Sequence, residues 1–252
     1  MNEFSVRRGL IASCLATLVA LAPGITATAE ETLSDTQRAA VEALIERYIQ
    51  ENPEHILDSV RQYREREETR IAAEQQSNLS DLKREIQFDP AAPVAGNSEG
   101  SVTIVEFFDY RCGYCKTSLE MVMDLIREDP DVRVVFKELP ILSPESVRAA
   151  QAALAAQRQG RYLDLHYAMM ASRGQFDDKQ IFDIASEVGL DLQQLKADME
   201  SPEILALIDT NKSLAGALGI GGTPTFIVDD QIFRGAIDAA TMRKAIAEAR
   251  AG

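Results

Sequence analysis

The chain has 252 residues, 40 of them acidic and 26 basic, a formal net charge of −14, and 46% hydrophobic side chains. That acidity excludes a nucleic-acid binder, which needs a basic footprint, and it favours a soluble protein without identifying a partner. The length suits one large domain or two small ones with ample apolar content for a core.

Met1 to Ala29 reads as a secretory signal peptide. It has a basic start (Arg7, Arg8), an apolar stretch from Leu10 to Ala22, and Ala27-Thr-Ala29 as a small-residue cleavage site before Glu30. The apolar run is too short to span a bilayer. Ile11-Ala-Ser-Cys14 superficially resembles a lipoprotein cleavage box, but almost no apolar segment precedes it. Arg7-Arg8 also raises the twin-arginine route, with poorly matching flanks. Export to an oxidising periplasm is the expectation, and Cys112 and Cys115 are then the only thiols of the mature chain.

Residues 30–89 read as an N-terminal helical arm. Ser34 or Asp35 caps a first helix, on which Val41, Leu44, Ile45, Tyr48 and Ile49 form one apolar stripe. Pro53 opens a second helix, with Ile56, Leu57, Val60 and Tyr63 on one side. The run Arg64-Glu-Arg-Glu-Glu-Thr-Arg70 reads as a solvated helix face. The apolar seam has too little local surface to bury itself, and copies of the chain could bury it together.

Asp89 to Gly100, with two prolines and two glycines, is expected to be a linker before the second domain, residues 90–252. Beyond it the pattern predicts a strand (Val102–Phe108), a helix (Cys112–Glu128) and a strand (Val132–Leu139). Four or five helices follow between Pro144 and Leu218. A hairpin then joins Thr225–Val228 to Gln231–Arg234 around Asp229-Asp230, and a last helix runs from Asp238 to Ala249. This order describes an α/β sheet whose crossover is interrupted by a helical insertion, about residues 144–218.

Cys112 and Cys115 stand as Cys-Gly-Tyr-Cys where the first strand feeds its helix. Cys112 then sits at or just before a helix N-terminus, where unpaired N–H groups and the helix dipole stabilise a thiolate. A zinc site would need four ligands, and the chain has no second Cys pair and only His55 and His166, far apart in sequence. A purely structural disulfide would close too small a loop to gain much. The pattern points to a redox-active dithiol needing neither metal nor organic cofactor. Glu106, Lys137 and Glu138 are candidates for a buried charged group that relays protons near Cys115; the alternative is strand-end charge reaching water. His166 reads as a helix packing residue rather than a ligand. Met121, Met123, Met169 and Met170 read as core filling, with a pliable substrate surface as the alternative.

Three stretches, Val-Glu-Phe-Phe-Asp-Tyr-Arg-Cys-Gly-Tyr-Cys at 105–115, Phe-Lys-Glu-Leu-Pro at 136–140 and Gly-Ile-Gly-Gly-Thr-Pro-Thr-Phe-Ile-Val at 219–228, occur in this order. From about Gly100 the chain resembles the DsbA-like branch of the thioredoxin superfamily. Residues 33–88 are similar to the extra helical domain of the suppressor-of-copper-sensitivity C proteins, whose members include trimeric disulfide isomerases. The resemblance implies a thioredoxin fold with an inserted helical domain, preceded by an oligomerisation arm. It makes Cys112 the attacking thiol and Cys115 the buried resolving thiol, with Gly113 and Tyr114 tuning the redox poise. It also implies that Pro224, which the local sequence alone reads equally well as a turn proline opening a strand, is cis and that Thr223 presents backbone groups to an extended substrate. Tyr114 cannot supply the charge that histidine gives oxidising family members, and Cys-Gly-Tyr-Cys matches the dipeptide of dimeric periplasmic isomerases. The expectation is therefore a periplasmic oxidoreductase, isomerase before monomeric dithiol oxidase. Its partners would be unfolded or misdisulfided exported proteins and a membrane thiol reductase or oxidase, and its assembly a homo-oligomer, a trimer by resemblance. A copper-handling protein and a thiol-independent holdase are the weaker alternatives.

Overall fold

The structure is a computed structural model that describes residues 33–251; the expected signal peptide and Cys14 lie outside them. The described residues divide into two compact units that part after Arg61. In the first, helix α1 (Asp35–Glu51) starts at a capping box in which Ser34 Oγ accepts from the Gln37 N–H and the Gln37 side chain accepts from the Ser34 N–H. Asn52 ends α1, its N–H and side-chain amide both donating to the Tyr48 carbonyl. Pro53 then opens α2 (Pro53–Asp81). None of the apolar residues of α1 is buried.

The second unit is built on a five-stranded sheet of order β1-β3-β2-β4-β5. The strands are β1 (Val94–Gly96), β2 (Val102–Phe108), β3 (Val132–Glu138), β4 (Thr225–Val228) and β5 (Gln231–Arg234). The β2–β3 pair is parallel because α4 (Gly113–Glu128) carries the chain back between them; the other pairs are antiparallel. Both central strands are buried along their whole length, so each is rich in apolar side chains on both faces, and the charged residues they carry, Glu106, Arg133, Lys137 and Glu138, are buried too. Their side chains alternate between two cores. Ile104, Phe108, Val134, Phe136, Phe226 and Val228 belong to the larger one, while Val105, Phe107, Val135 and Ile227 belong to the smaller.

Five helices follow β3: α5 (Pro144–Gln157), α6 (Tyr162–Ala171), α7 (Asp178–Glu187), α8 (Leu192–Met199) and α9 (Pro202–Ala217). They form the expected insertion. The hairpin β4–β5 turns at Asp229, whose φ of 51° is the left-handed value a tight hairpin asks for. Helix α10 (Ala239–Ala251) closes the fold.

Two expectations about residues 79–100 differ from the structure. The segment expected as a linker contains β1, which pairs with the β3 edge through Val94↔Val135, Ala95↔Val134 and Gly96↔Arg133. Gly96 is required there: its φ is +76°, and a Cβ would lie 2.5 Å from the Val132 carbonyl oxygen. The end of α2 and the short helix α3 (Lys83–Gln87), expected as part of the arm, pack into the smaller core through Leu79 and Ile86. Asn78 Nδ2 donates to the Ala217 carbonyl (2.7 Å), which fixes the last turns of α2 on the end of α9.

Candidate active site

Cys112 is the N-cap of α4, with extended backbone (φ −74°, ψ 115°), and its sulfur accepts from the Cys115 N–H at 3.4 Å. Its own N–H is held by the Asp109 carbonyl at 3.0 Å. Both cysteines are free thiols. Cys112 is 6% exposed and Cys115 fully buried, while the intervening Tyr114 is 70% exposed. Space for a side chain exists at Gly113, where an added Cβ would meet nothing within 4 Å. The Thr223–Pro224 bond is cis, and the Cys112 thiol donates to the Thr223 carbonyl at 3.2 Å. The Pro224 carbonyl is taken by the Gly235 N–H (2.8 Å). Segments 112–115 and 223–224, expected together from the sequence, thus meet at one place.

The environment separates the two thiols. Cys112 is lowered to about 5, chiefly by the hydrogen bond from the Cys115 thiol. Burial opposes that, and the Thr223 hydroxyl and the N–H groups of Cys115 and Tyr114 reinforce it. The Thr223 hydroxyl is buried and has no hydrogen-bond partner among the described residues. Cys115 is pushed far up, first by burial, then by its bond to Cys112, with the Glu106 charge adding to both. The arrangement provides one thiolate at neutral pH beside one thiol that keeps its proton.

Of the three relay candidates, Glu106 is on the thiol side. It faces the larger core, is buried, and is raised to about 8 by burial and by the Cys112 charge. Lys137 is not. In the β2–β3 register it stands beside Phe107, on the smaller-core face. There it pairs with Asp89 at 2.8 Å and donates to the Glu85 carbonyl. Lys137 ties α3 to the sheet and serves no thiol; the one-residue alternation of a strand decides this. Glu138 faces the thiol side but is engaged further along. Its Oε1 accepts from Tyr110 (3.1 Å) and Tyr162 (2.9 Å), and burial holds its carboxyl well above the usual range. His166 is buried among aromatic rings and bonds Tyr110 through Nδ1 at 3.0 Å, as a packing residue does.

Sequence reasoning missed Asp109 and Lys116. The buried Asp109 carboxylate accepts from the Arg111 N–H and Ser146 hydroxyl (2.8 Å each), and from the Ile141 and Leu142 N–H groups at 3.0 and 3.1 Å. It ties the Cys112 loop to the loop after β3 and the start of α5. The signal was an aspartate closing an apolar strand just before the Cys pair.

Residues 103–247 match the family described as DSBA-like thioredoxin domain. Among solved structures, a thioredoxin-like oxidoreductase from Silicibacter pomeroyi is 45% identical; the match covers 67% of this chain and 98% of that one, with a TM-score of 0.66. The thiol-disulfide exchange protein alpha-DsbA2 from Wolbachia pipientis is 34% identical over 71% of this chain and 97% of its own, with a TM-score of 0.67. Proteus mirabilis ScsC in a transitional conformation is 27% identical over 87% of this chain and 99% of its own, with a TM-score of 0.65. Curated relatives include a Na(+)/H(+) antiporter NhaA of Herminiimonas arsenicoxydans, 29% identical over 63% of this chain. The chain spans about a quarter of that antiporter's length, 26%, and no helix among the described residues is long and apolar enough to cross a membrane. The family match, the sheet order and the helix-capping Cys pair agree, and the chain belongs to the DSBA-like thioredoxin family of thiol–disulfide oxidoreductases.

Proposed function

We propose that the protein is an exported, periplasmic thiol–disulfide oxidoreductase that acts on cysteine-bearing unfolded or misdisulfided proteins, as a disulfide isomerase. The observation that carries the reading is the asymmetry of the thiols: Cys112 is stabilised as thiolate and Cys115 is buried and protonated. Cys112 thiolate attacks a substrate disulfide, forming a mixed disulfide and releasing one substrate thiolate. If another substrate thiolate then attacks, Cys112 is regenerated and the substrate disulfide has moved with no net redox change. If Cys115 attacks instead, the substrate leaves reduced and the Cys112–Cys115 disulfide forms, to be reduced by a membrane thiol reductase. Isomerisation is supported by the similarity to ScsC over 87% of the chain and by the exposed apolar stripe of residues 41–63. That stripe supports self-association, which would bring several active sites to one substrate.

A second reading, a monomeric dithiol oxidase, is favoured by one feature. A thiolate as stable as Cys112 favours the reduced form and makes the disulfide oxidising. Refolding of a scrambled-disulfide substrate, run beside a dithiol-oxidation assay, separates the two. The isomerase reading expects recovery of native substrate by reduced protein; dithiol oxidation without such recovery overturns it. Cys115→Ser should accumulate mixed disulfides and Cys112→Ser should not.

A further inference from the structure

Lys116 follows Cys115 directly in the first turns of α4, and its ammonium is built into the end of the inserted helix α6. Its Nζ donates to the carbonyls of Met169 (3.0 Å), Met170 (3.3 Å) and Ser172 (2.8 Å), and lies 4.7 Å from the centroid of the Phe176 ring. Three donors meet three carbonyls, so the hydrogen-bonding capacity of the ammonium is filled. Among the described residues no carboxylate pairs with it. The ligands are peptide dipoles at a helix C-terminus, which favour a cation without neutralising it. A formal positive charge therefore remains on the residue that directly follows Cys115, and it interacts with the charges of both sulfurs.

We propose that Lys116 is a positioning residue for the resolving step, holding a positive charge that stabilises the Cys115 thiolate as it attacks the mixed disulfide. The inference rests on the reading that Cys112 forms that mixed disulfide. In the step, Cys115 Sγ loses its proton to solvent and attacks Cys112 Sγ. The Cys112–Cys115 bond forms and the Cys112–substrate bond breaks. The electron pair leaves with the substrate sulfur, which takes a proton from water; the dithiol is oxidised by two electrons and the substrate disulfide is reduced. Burial and the Glu106 charge both oppose the Cys115 thiolate. In the mixed disulfide Cys112 carries no charge, and the Lys116 ammonium, on the residue after Cys115 in α4, still interacts with the Cys115 charge. The groups whose charge bears on it are Cys112 and Cys115 on its own helix, Asp109 at the end of β2, and His166 on α6. Burial brings Lys116 down to about 8, which leaves it largely protonated at neutral pH. The insertion, through the last turn of α6, thus supplies the charge its own backbone holds in place.

Two substitutions in the full chain separate charge from tie. Lys116→Gln keeps amide donors for the α6 carbonyls and removes the charge; Lys116→Arg keeps both. The probe is the mixed disulfide between the protein and glutathione, followed by acid quench and mass analysis from pH 6 to 8. Attack is measured separately in a Cys115→Ser background. Lys116→Gln is expected to lengthen the life of the mixed disulfide about tenfold at pH 7, the effect of one unit in the attacking thiol's pKa, and to move its pH profile upward. Attack by Cys112 should change much less, and Lys116→Arg should resolve at nearly the wild-type rate. Lys116→Met gives the same readout if the glutamine variant does not fold. Resolution of Lys116→Gln at the wild-type rate overturns the inference, as does an equal slowing of attack and resolution. If wild-type protein forms no mixed disulfide at all, the reading beneath it fails instead.

Discussion

A sulfur placed at the N-cap of a helix receives N–H groups that no other residue claims, and at Cys112 the Cys115 thiol and the Thr223 hydroxyl add to their effect on the thiolate. Alkylation by iodoacetamide should therefore be nearly independent of pH from 7 down to about 6, then fall with a midpoint near 5. A midpoint in the ordinary thiol range would refute the assignment. The same depression has a consequence for stability. The folded value lies below the unfolded one, about 8.5, so the contribution is fully present above about pH 8.5 and is lost as pH falls through 5. The raised carboxyl of Glu106 runs the other way, so the comparison to make is urea unfolding of reduced wild type against Cys112→Ser; the gap between them should close as pH falls from 8.5 to 5. Thr223→Val removes the hydroxyl and should move the alkylation midpoint upward without unfolding the domain; an unchanged midpoint and reduction potential would remove Thr223 from the site. The Cys pair was legible because its meaning lies within four consecutive residues. Asp109 and Lys116 were not, because their partners, Ile141 to Ser146 and Met169 to Ser172, are remote in sequence.

Among the elements, β2, β4 and β5 were readable to the residue, since a run buried on both faces or a hairpin with a marked turn leaves little freedom in its ends. Strand β1 was not. It is three residues long, sits at an edge where Pro93 costs no ladder bond, and carries the composition of a loop. Its order comes from β3, whose Phe136 N–H donates to the Pro93 carbonyl at 2.9 Å. The face that Lys137 occupies was also invisible, because alternation fixes only relative sides until a neighbour declares which core is which. The loop after β3 has a comparable dependence on Asp109. Asp109→Asn places an amide donor opposite at least one of the backbone N–H groups of Arg111, Ile141 and Leu142, which can only donate, and each N–H left unpaired in a buried site costs about 1–3 kcal/mol. The variant should lose about 2–3 kcal/mol in urea unfolding, and proteolysis should increase between Pro140 and Ser146. Wild-type stability and protection would show that the loop holds its shape without the carboxylate.

For the whole molecule, the end of the arm is set by packing rather than by composition. The Pro- and Gly-rich stretch at 89–100 suggested a cut there, but Leu79 is 2% exposed and Ile86 fully buried in the core beneath the sheet. Asp89 is the partner of Lys137, which has no exposed surface. A chain starting at Pro90 would lose both apolar residues and leave Lys137 buried without its counter-charge, a loss of about 3–5 kcal/mol for the broken pair alone. A chain starting at Gln62 keeps all of these contacts. What it gives up is α1 and the opening turns of α2, where Val41, Leu44, Ile45, Tyr48, Ile49, Ile56, Leu57 and Val60 are all exposed. Exposed apolar residues gathered on one helical stretch are a mark of association surfaces, and coiled-coil seams bury such residues between helices. The protein from residue 30 onward should therefore be oligomeric in light scattering at micromolar concentration, and Leu44→Glu with Leu57→Glu should dissociate it. The chain from Gln62 should be monomeric, fold with nearly full stability, oxidise dithiols, and lose most recovery of scrambled substrates, because one active site can no longer hold a substrate while another attacks it. The chain from Pro90 should fail in stability before activity is tested. A monomeric protein from residue 30, or full isomerase activity in the chain from Gln62, would separate the apolar stripe from disulfide exchange.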